Sequence, residues 1–335
     1  MPATIKDVAV RAGVSVGSVS RVVSNNKTVK SATREKVEQA IKDLGFKPNF
    51  AARALRTNQT DTIGLIVPDV SDPFFARLAK CIEAEATRRN QHVMLANSNH
   101  DTASVARHVA AMLDRTPSGI LIAGERPEGA FDTEAGTPII SLDARTDSPF
   151  VSTDHADGSA KMADLIYEYG HRRITYLNGP EGNESCNVRL DGFASHIERR
   201  SPNGEAVGLT EISGRMDYEG GEALAMEVLA SPADRRPTAL VCANDQMAIG
   251  ALRAARTLSI DVPAELTIVG FGDIDLASLV DPRLTTVRQP VEKIAETAIR
   301  MLTGELDSTR DYLISGELVI RSSSGPAPGT GETPS

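Results

Sequence analysis

Cysteine is scarce in this chain of 335 residues: Cys81, Cys186 and Cys242 stand far apart and without metal-ligand spacing. That pattern excludes a disulfide scaffold and a zinc module, and it predicts three buried thiols in a reducing compartment. Six scattered histidines add no metal pattern, so neither metal nor cofactor is expected. No apolar run approaches the ~18 residues of a membrane span. The opening MPATIKDVA lacks the charged-then-apolar text of a secretory leader. A soluble, cytoplasmic protein with no membrane partner is the expectation. Enzyme signals are missing too. GFGDID is not a dinucleotide glycine fingerprint, no P-loop occurs, and Ser185, His155 and Asp154 lack the spacing of a catalytic triad. His155 beside Asp154 reads as a strand-end hydrogen bond.

What the chain does have is segregated charge. Residues 1–60 carry eleven Lys or Arg against four Asp or Glu, while the rest carries twenty-five against forty-one. The net charge of -9 therefore averages a cationic head and an acidic body. A small cationic module suits a DNA duplex, whose phosphates release counterions when neutralised; the acidic body does not.

Within the head, Thr4 can cap a helix through Ile5, Val8 and Ala9 that stops at Gly13. Ser15 caps a second helix whose inward residues are Val19 and Val22 and whose other face is small: Val16, Gly17, Ser18. Small side chains let a helix approach base edges in the major groove. Arg21 on that helix suits a guanine edge or a phosphate, or is a solvated surface arginine. Asn25, Asn26 and Lys27 form a loop, with Asn25 counted among the DNA contacts. Ser31 can cap a third helix with Val37, Ala40, Ile41 and Leu44 on one face, closed by Gly45. Beyond it, Leu55 between Arg53 and Arg56 fits a minor-groove wedge, or else a linker helix packed on the body.

The segment TIKDVAVRAGVSVGSVSRVV, continuing through Gly45, Phe46, Pro48 and Asn49 to Leu55 and Arg56, resembles the head of the lactose/galactose repressor (LacI/GalR) family. The resemblance implies a homodimer that reads a pseudo-palindromic double-stranded operator, making it a nucleoid-associated regulator. Val16, Gly17, Ser20 and Arg21 would then lie in or beside the major groove, with hinge helices at about 49–57 inserting Leu55. Gly17 departs from the larger polar residue usual at its position, which shifts specificity toward Arg21 and the hinge.

After Thr62 short apolar strands alternate with helices. Strands are expected at 63–67, 92–96, 119–123, 138–142, 173–177, 238–242, 266–271 and 313–320. Helices are expected at about 74–89, 102–114, 157–169, 187–200, 218–229, 245–258 and 291–302. This cycle predicts mainly parallel sheets with helices on both faces, in two lobes with a cleft at the strand ends. The pieces TIGLIVPDVSDPFF, GHRRITYLNGP, RLDGF, ANDQMAIGALRA, DVPAELTIVGFGDID and LTTVRQP resemble the same family, so the match covers about residues 4–322. The implied fold is a small all-helical helix-turn-helix domain at 1–60 joined to a two-lobed α/β, periplasmic-binding-protein-like core at 61–322. Its first lobe takes about 61–156 and 291–322, and its second about 157–290. The residues 323–335, rich in Gly, Pro, Ser and Thr, are expected to be disordered, and they lack the leucine repeat of a tetramer.

The resemblance also marks the cleft walls. Phe74 and Phe75 match ring-stacking positions or are plain core; Asp143 and Asp154 accept from sugar hydroxyls or are solvated turn acids. Asn183, Ser185, Arg189 and Asn244 match sugar-holding positions, while Asp245 is expected to cap the helix that follows. Two departures stand out: Gly272, where many members carry Asp, and Arg215, where a nucleobase-binding member carries an aromatic. One acid fewer and one base more favour a sugar acid or sugar phosphate, with a neutral sugar as the alternative. The expected role is a repressor of a carbohydrate operon whose effector shifts the hinge spacing, with induction preferred. Helices near 74–89 and 245–258 are candidate dimer surfaces, or intramolecular core.

Overall fold

The computed structural model describes residues 3–23, 29–46, 60–124, 136–144, 149–201 and 207–329. They fall in two units, Met1–Thr60 and Asp61–Ser335.

In the first unit, Thr4 and Asp7 cap α1 (Ile5–Ala12) reciprocally: Asp7 N donates to Thr4 Oγ1 at 3.4 Å and Thr4 N to the Asp7 carboxylate at 2.8 Å. Gly13 ends the helix in the left-handed conformation, φ 64°. Ser18 N donates to Ser15 Oγ at 3.1 Å, which starts α2 (Val16–Val23). The third helix, α3 (Ser31–Leu44), corrects the expectation for Ser31. Lys30 holds the cap position with extended backbone and no side-chain bond, so Ser31 is already helical. Val8, Val19 and Val37 meet fully buried at the centre, and an Arg11–Asp43 ion pair at 2.7 Å ties α1 to α3 at the surface.

The second unit runs β1 (Thr62–Val67), α4 (Pro73–Arg88), β2 (His92–Asn97), α5 (Thr102–Leu113), β3 (Gly119–Ala123), β4 (Ile139–Leu142) and β5 (Phe150–Asp154). There follow α6 (His155–Glu168), β6 (Arg173–Asn178), α7 (Glu184–Arg200), β7 (Gly208–Ser213), α8 (Tyr218–Leu229), β8 (Ala239–Cys242), α9 (Asp245–Thr257) and β9 (Thr267–Gly272). The last elements are β10 (Thr285–Arg288), α10 (Val291–Leu302), β11 (Tyr312–Ser315) and β12 (Glu317–Val319). Two six-stranded sheets result, ordered β11-β5-β4-β3-β1-β2 and β12-β10-β9-β8-β6-β7. Their pairings are parallel except for β12 against β10. Strands such as β3 and β9 are buried along their whole length, because helices cover both faces of a parallel sheet.

The chain passes between lobes at Asp154–His155, at Gln289–Pro290 and at Gly316. The single return strand expected at 313–320 is therefore two: β11 completes the first sheet, and β12 crosses back to the second. The expected disorder from 323 is corrected for residues 323–329. Ser323 is fully buried and donates to Ile268 O at 2.6 Å, and Ala327 N reaches Tyr169 O at 2.7 Å. His171 accompanies them, its Nε2 3.0 Å from Gly325 O, with burial pushing its pKa down to about 4. Cys186 and Cys242 are buried, but Cys81 is only half-buried. The apolar residues of α9 pack inside the second lobe.

Helices α8 and α9 touch backbone to backbone. A Cβ on Gly250 would lie 2.1 Å from Tyr218 O and 2.6 Å from Glu222 N, so this contact exists only because the residue is glycine. The amino ends of both helices reach the cleft. Gly250→Ala should force them apart at a cost of about 1–3 kcal/mol. Chemical denaturation checks this, and an unchanged midpoint would refute the close approach.

Candidate functional site

On the head, Val16, Gly17 and Arg21 are exposed and Ser20 is half-buried, while Val19 and Val22 face inward. A Cβ at Gly17 would meet only Ser15 Oγ at 3.8 Å, so the glycine here leaves open space on the outer face of α2. Asn25, Arg53, Leu55 and Arg56 lie outside the described residues.

In the body, a cleft of about 990 Å³ opens at the carboxyl ends of the two sheets, at the upper end of the ~300–1,000 Å³ common for small-molecule sites. It gathers Phe74, Phe75, Asp143, Asn183, Ser185, Arg189, Arg215, Asn244 and Gly272. Asp154 is not on its wall; its carboxylate caps α6, accepting from Asp157 N at 3.0 Å.

Asp72 starts α4 by accepting from Phe74 N at 2.8 Å, which sets Phe74 and Phe75 on the first-lobe wall. Their rings meet edge to face at 5.1 Å and also pack on the first-lobe core. Asp143 follows β4 with φ 58°, a left-handed turn that aspartate tolerates, and is buried. Ser185 donates across the lobes to the Asp143 carbonyl at 2.5 Å. Asn183 caps α7 through Cys186 N at 3.1 Å. Arg189 is 4% exposed; it donates to Ala243 O at 2.7 Å and to His155 Nδ1 at 3.2 Å, and lies 4.2 Å above the Phe271 ring.

The cap of α9 differs from expectation. Asn244 accepts from Met247 N at 2.8 Å and donates to Met216 O at 2.9 Å. Asp245 instead turns inward, accepting from Thr286 Oγ1 at 2.5 Å and Ile274 N at 2.9 Å. It sits against Gly272, where a Cβ would be 3.3 Å from its Oδ2. The wall therefore has a buried carboxyl beside the glycine that was read as a missing acid. Burial of the Asp245 side chain leaves the cap to Asn244. Met216 and Gln289 also line the cleft; an isolated methionine and a strand-end glutamine gave no sequence signal.

The reading of Arg215 as a base added to the cleft is corrected by its partners. Arg215 is 68% exposed and is paired with Asp217 at 3.2 Å and Glu219 at 3.3 Å. Among the described wall residues two arginines, Arg189 and Arg215, face eight carboxyl side chains: Asp69, Asp72, Asp101, Asp143, Glu181, Glu184, Asp217 and Asp245. An incoming phosphate or carboxylate would meet that excess.

Residues 4–49 match the family described as bacterial regulatory proteins, lacI family, and residues 163–324 match the periplasmic binding protein-like domain. The HTH-type transcriptional repressor CytR of Escherichia coli (strain K12) is 32% identical over 337 residues, 97% of each chain. The chain belongs to the lacI family. The HTH-type transcriptional regulator GalS of Salmonella typhimurium is 35% identical over 332 residues, 96% of each chain. Among solved structures, the lac repressor dimer bound to operator and the anti-inducer ONPF aligns with a TM-score of 0.79 and 28% identity over 97% of this chain and 100% of that one. The CelR–cellobiose complex aligns with a TM-score of 0.69 and 27% identity over 96% and 99%. This lacI-family chain is a sequence-specific DNA-binding regulator with a sugar-type effector domain, and not an enzyme. No helix among the described residues is long and apolar enough to cross a membrane.

Burial raises the Asp245 pKa from an ordinary 3.8 to about 6. The folded chain thus holds a proton that an unfolded aspartate releases, so this carboxyl lowers stability as pH rises from about 4 to 6. Asp245→Asn abolishes that titration. Its stability relative to the parent, measured by denaturation, should climb across the same interval; a difference independent of pH would contradict the burial argument.

Proposed function

We propose that the chain is a homodimeric repressor of carbohydrate genes, released from a pseudo-palindromic operator by a neutral sugar. The observation that carries the effector class is the acidic wall, in which Arg215 is neutralised by Asp217 and Glu219. Half-buried Phe74 and Phe75 offer apolar faces for a sugar ring. Asp143, Arg189 and Asn244 offer charged or amide partners for hydroxyls. The ribose operon repressor of Escherichia coli (strain K12), 31% identical over 310 residues, and the cellobiose complex of CelR support the same class. Both lobes expose apolar side chains, Val70 and Leu95 in one and Leu276 and Leu279 in the other, and we assign the second copy to these surfaces. Effector closure of the cleft would act on DNA through the tethers between units, in the manner of any ligand that favours one of two states.

Two measurements test this reading. Fluorescence anisotropy on genomic fragments should find an operator bound about a thousandfold over random duplex, with affinity falling steeply in salt. Arg21→Ala should reduce operator affinity by about tenfold or more and relax sequence preference; equal binding to operator and random DNA would end the repressor reading. A thermal-shift panel of D-ribose, D-galactose, cellobiose, gluconate and ribose 5-phosphate addresses the effector. Stabilisation by a neutral sugar is expected, and stabilisation by only the two anions would reverse the assignment.

A further inference from the structure

Behind the cleft wall, His155 opens α6 directly after the first crossing between lobes and is 6% exposed. Its Nδ1 lies 3.2 Å from Arg189 Nε. A guanidinium donates only, so Nδ1 is the ring's unprotonated nitrogen and the proton resides on Nε2. The neighbours of Nε2 fit that tautomer. Asp143 Oδ1 is 3.0 Å away, although too far off line to count as a well-formed bond. Ser152 Oγ is 3.3 Å away and gives its own proton to Thr153 O, so it can accept. The charged groups around the ring are Asp143 after β4, Asp154 before it in sequence and Arg189 on α7; Phe271 on β9 packs at 5.6 Å. Burial and the Arg189 charge both lower the His155 pKa, which keeps the ring neutral.

The spacing that results is unusual for opposite charges. Arg189 and Asp143 approach no closer than 3.9 Å, whereas a free guanidinium and carboxylate close to about 2.7–2.9 Å. We propose that His155 is a positioning residue that holds Arg189 and Asp143 apart, leaving between them a slot for one sugar hydroxyl that donates to the carboxylate and accepts from the guanidinium. Without the imidazole the two groups collapse onto each other and mask the slot. This inference rests on the neutral-sugar reading and adds how that sugar is gripped.

The full-length chain, free of sugar, serves for the first test. Nitrogen-15 NMR of the histidine rings at neutral pH should show His155 as the Nε2–H tautomer, with a slowly exchanging Arg189 Nε–H. That arginine signal should persist in His155→Asn, whose Oδ1 replaces Nδ1 as acceptor, and vanish in His155→Gln, whose amide reaches only toward Asp143. Calorimetric titration with D-ribose, D-galactose and cellobiose follows. For whichever sugar binds the parent, His155→Gln, which gives up the bond to Arg189 Nε, should weaken binding about tenfold, the effect of losing one charge-assisted bond, and His155→Phe by about a hundredfold, while His155→Asn, which keeps that bond, should bind more tightly than either. An imidazolium or Nδ1–H ring, or unchanged affinity in a Gln variant that remains folded, overturns the proposal. If none of the three sugars binds the parent, the neutral-sugar reading fails, and the ring tautomer alone still decides the role of His155.

Discussion

The body of this protein depends on three chain crossings packed as one bundle. Gly316, in the third, lies so close to the others that a Cβ there would sit 2.9 Å from Arg288 O and 3.7 Å from Thr153 Cγ2. Thr153 Oγ1 donates to Gln289 Oε1 at 2.9 Å, joining first crossing to second. Lys161 Nζ donates to Ser315 Oγ at 2.7 Å and Gly316 O at 2.8 Å, joining first to third. Arg288 meets Glu317 at 2.9 Å, joining second to third. Two lobes hung on such a bundle can change their mutual angle only by moving all three crossings together.

The ligand wall grows directly out of that bundle. Gln289 and Gly272 face the cleft, His155 stands behind it, and Asp273, next to Gly272, is held by Arg288 and Arg321 at 2.6 Å each. Anything that presses on the wall therefore presses on the crossings within a residue or two. The cleft wall and the crossings are thus joined by covalent adjacency, with no relay of side chains between them.

Much of this was legible in the sequence because periodic apolar text is direct evidence of burial. The basic head, the strand-helix alternation and most cleft positions follow from it and from the family resemblance. β7 and β10 escaped notice for physical reasons. β7 is an edge strand with four of its six residues exposed, and β10 is four residues of Thr, Thr, Val and Arg whose polar side chains are satisfied by tertiary partners. The charge of the cleft was misread for a similar reason. Arg215 looks like a free cation in one dimension, and only the turn of α8 brings Asp217 and Glu219 to it. Asp245 reads as a cap until Thr286, forty-one positions away, claims its carboxylate.

The docking of Ser322–Ala327 onto the second lobe has a consequence for biosynthesis. The first lobe draws on β11 and α10, and the second draws on β12 and the residues beyond it. Neither lobe is a contiguous stretch of chain. During translation the first lobe cannot finish until about Ser315 has left the ribosome, and the second waits for Ala327, so only the amino-terminal head is complete early. Excised fragments spanning one lobe would lack a strand of their sheet, and nascent chains would expose two open sheet edges to chaperones until nearly the last residues emerge.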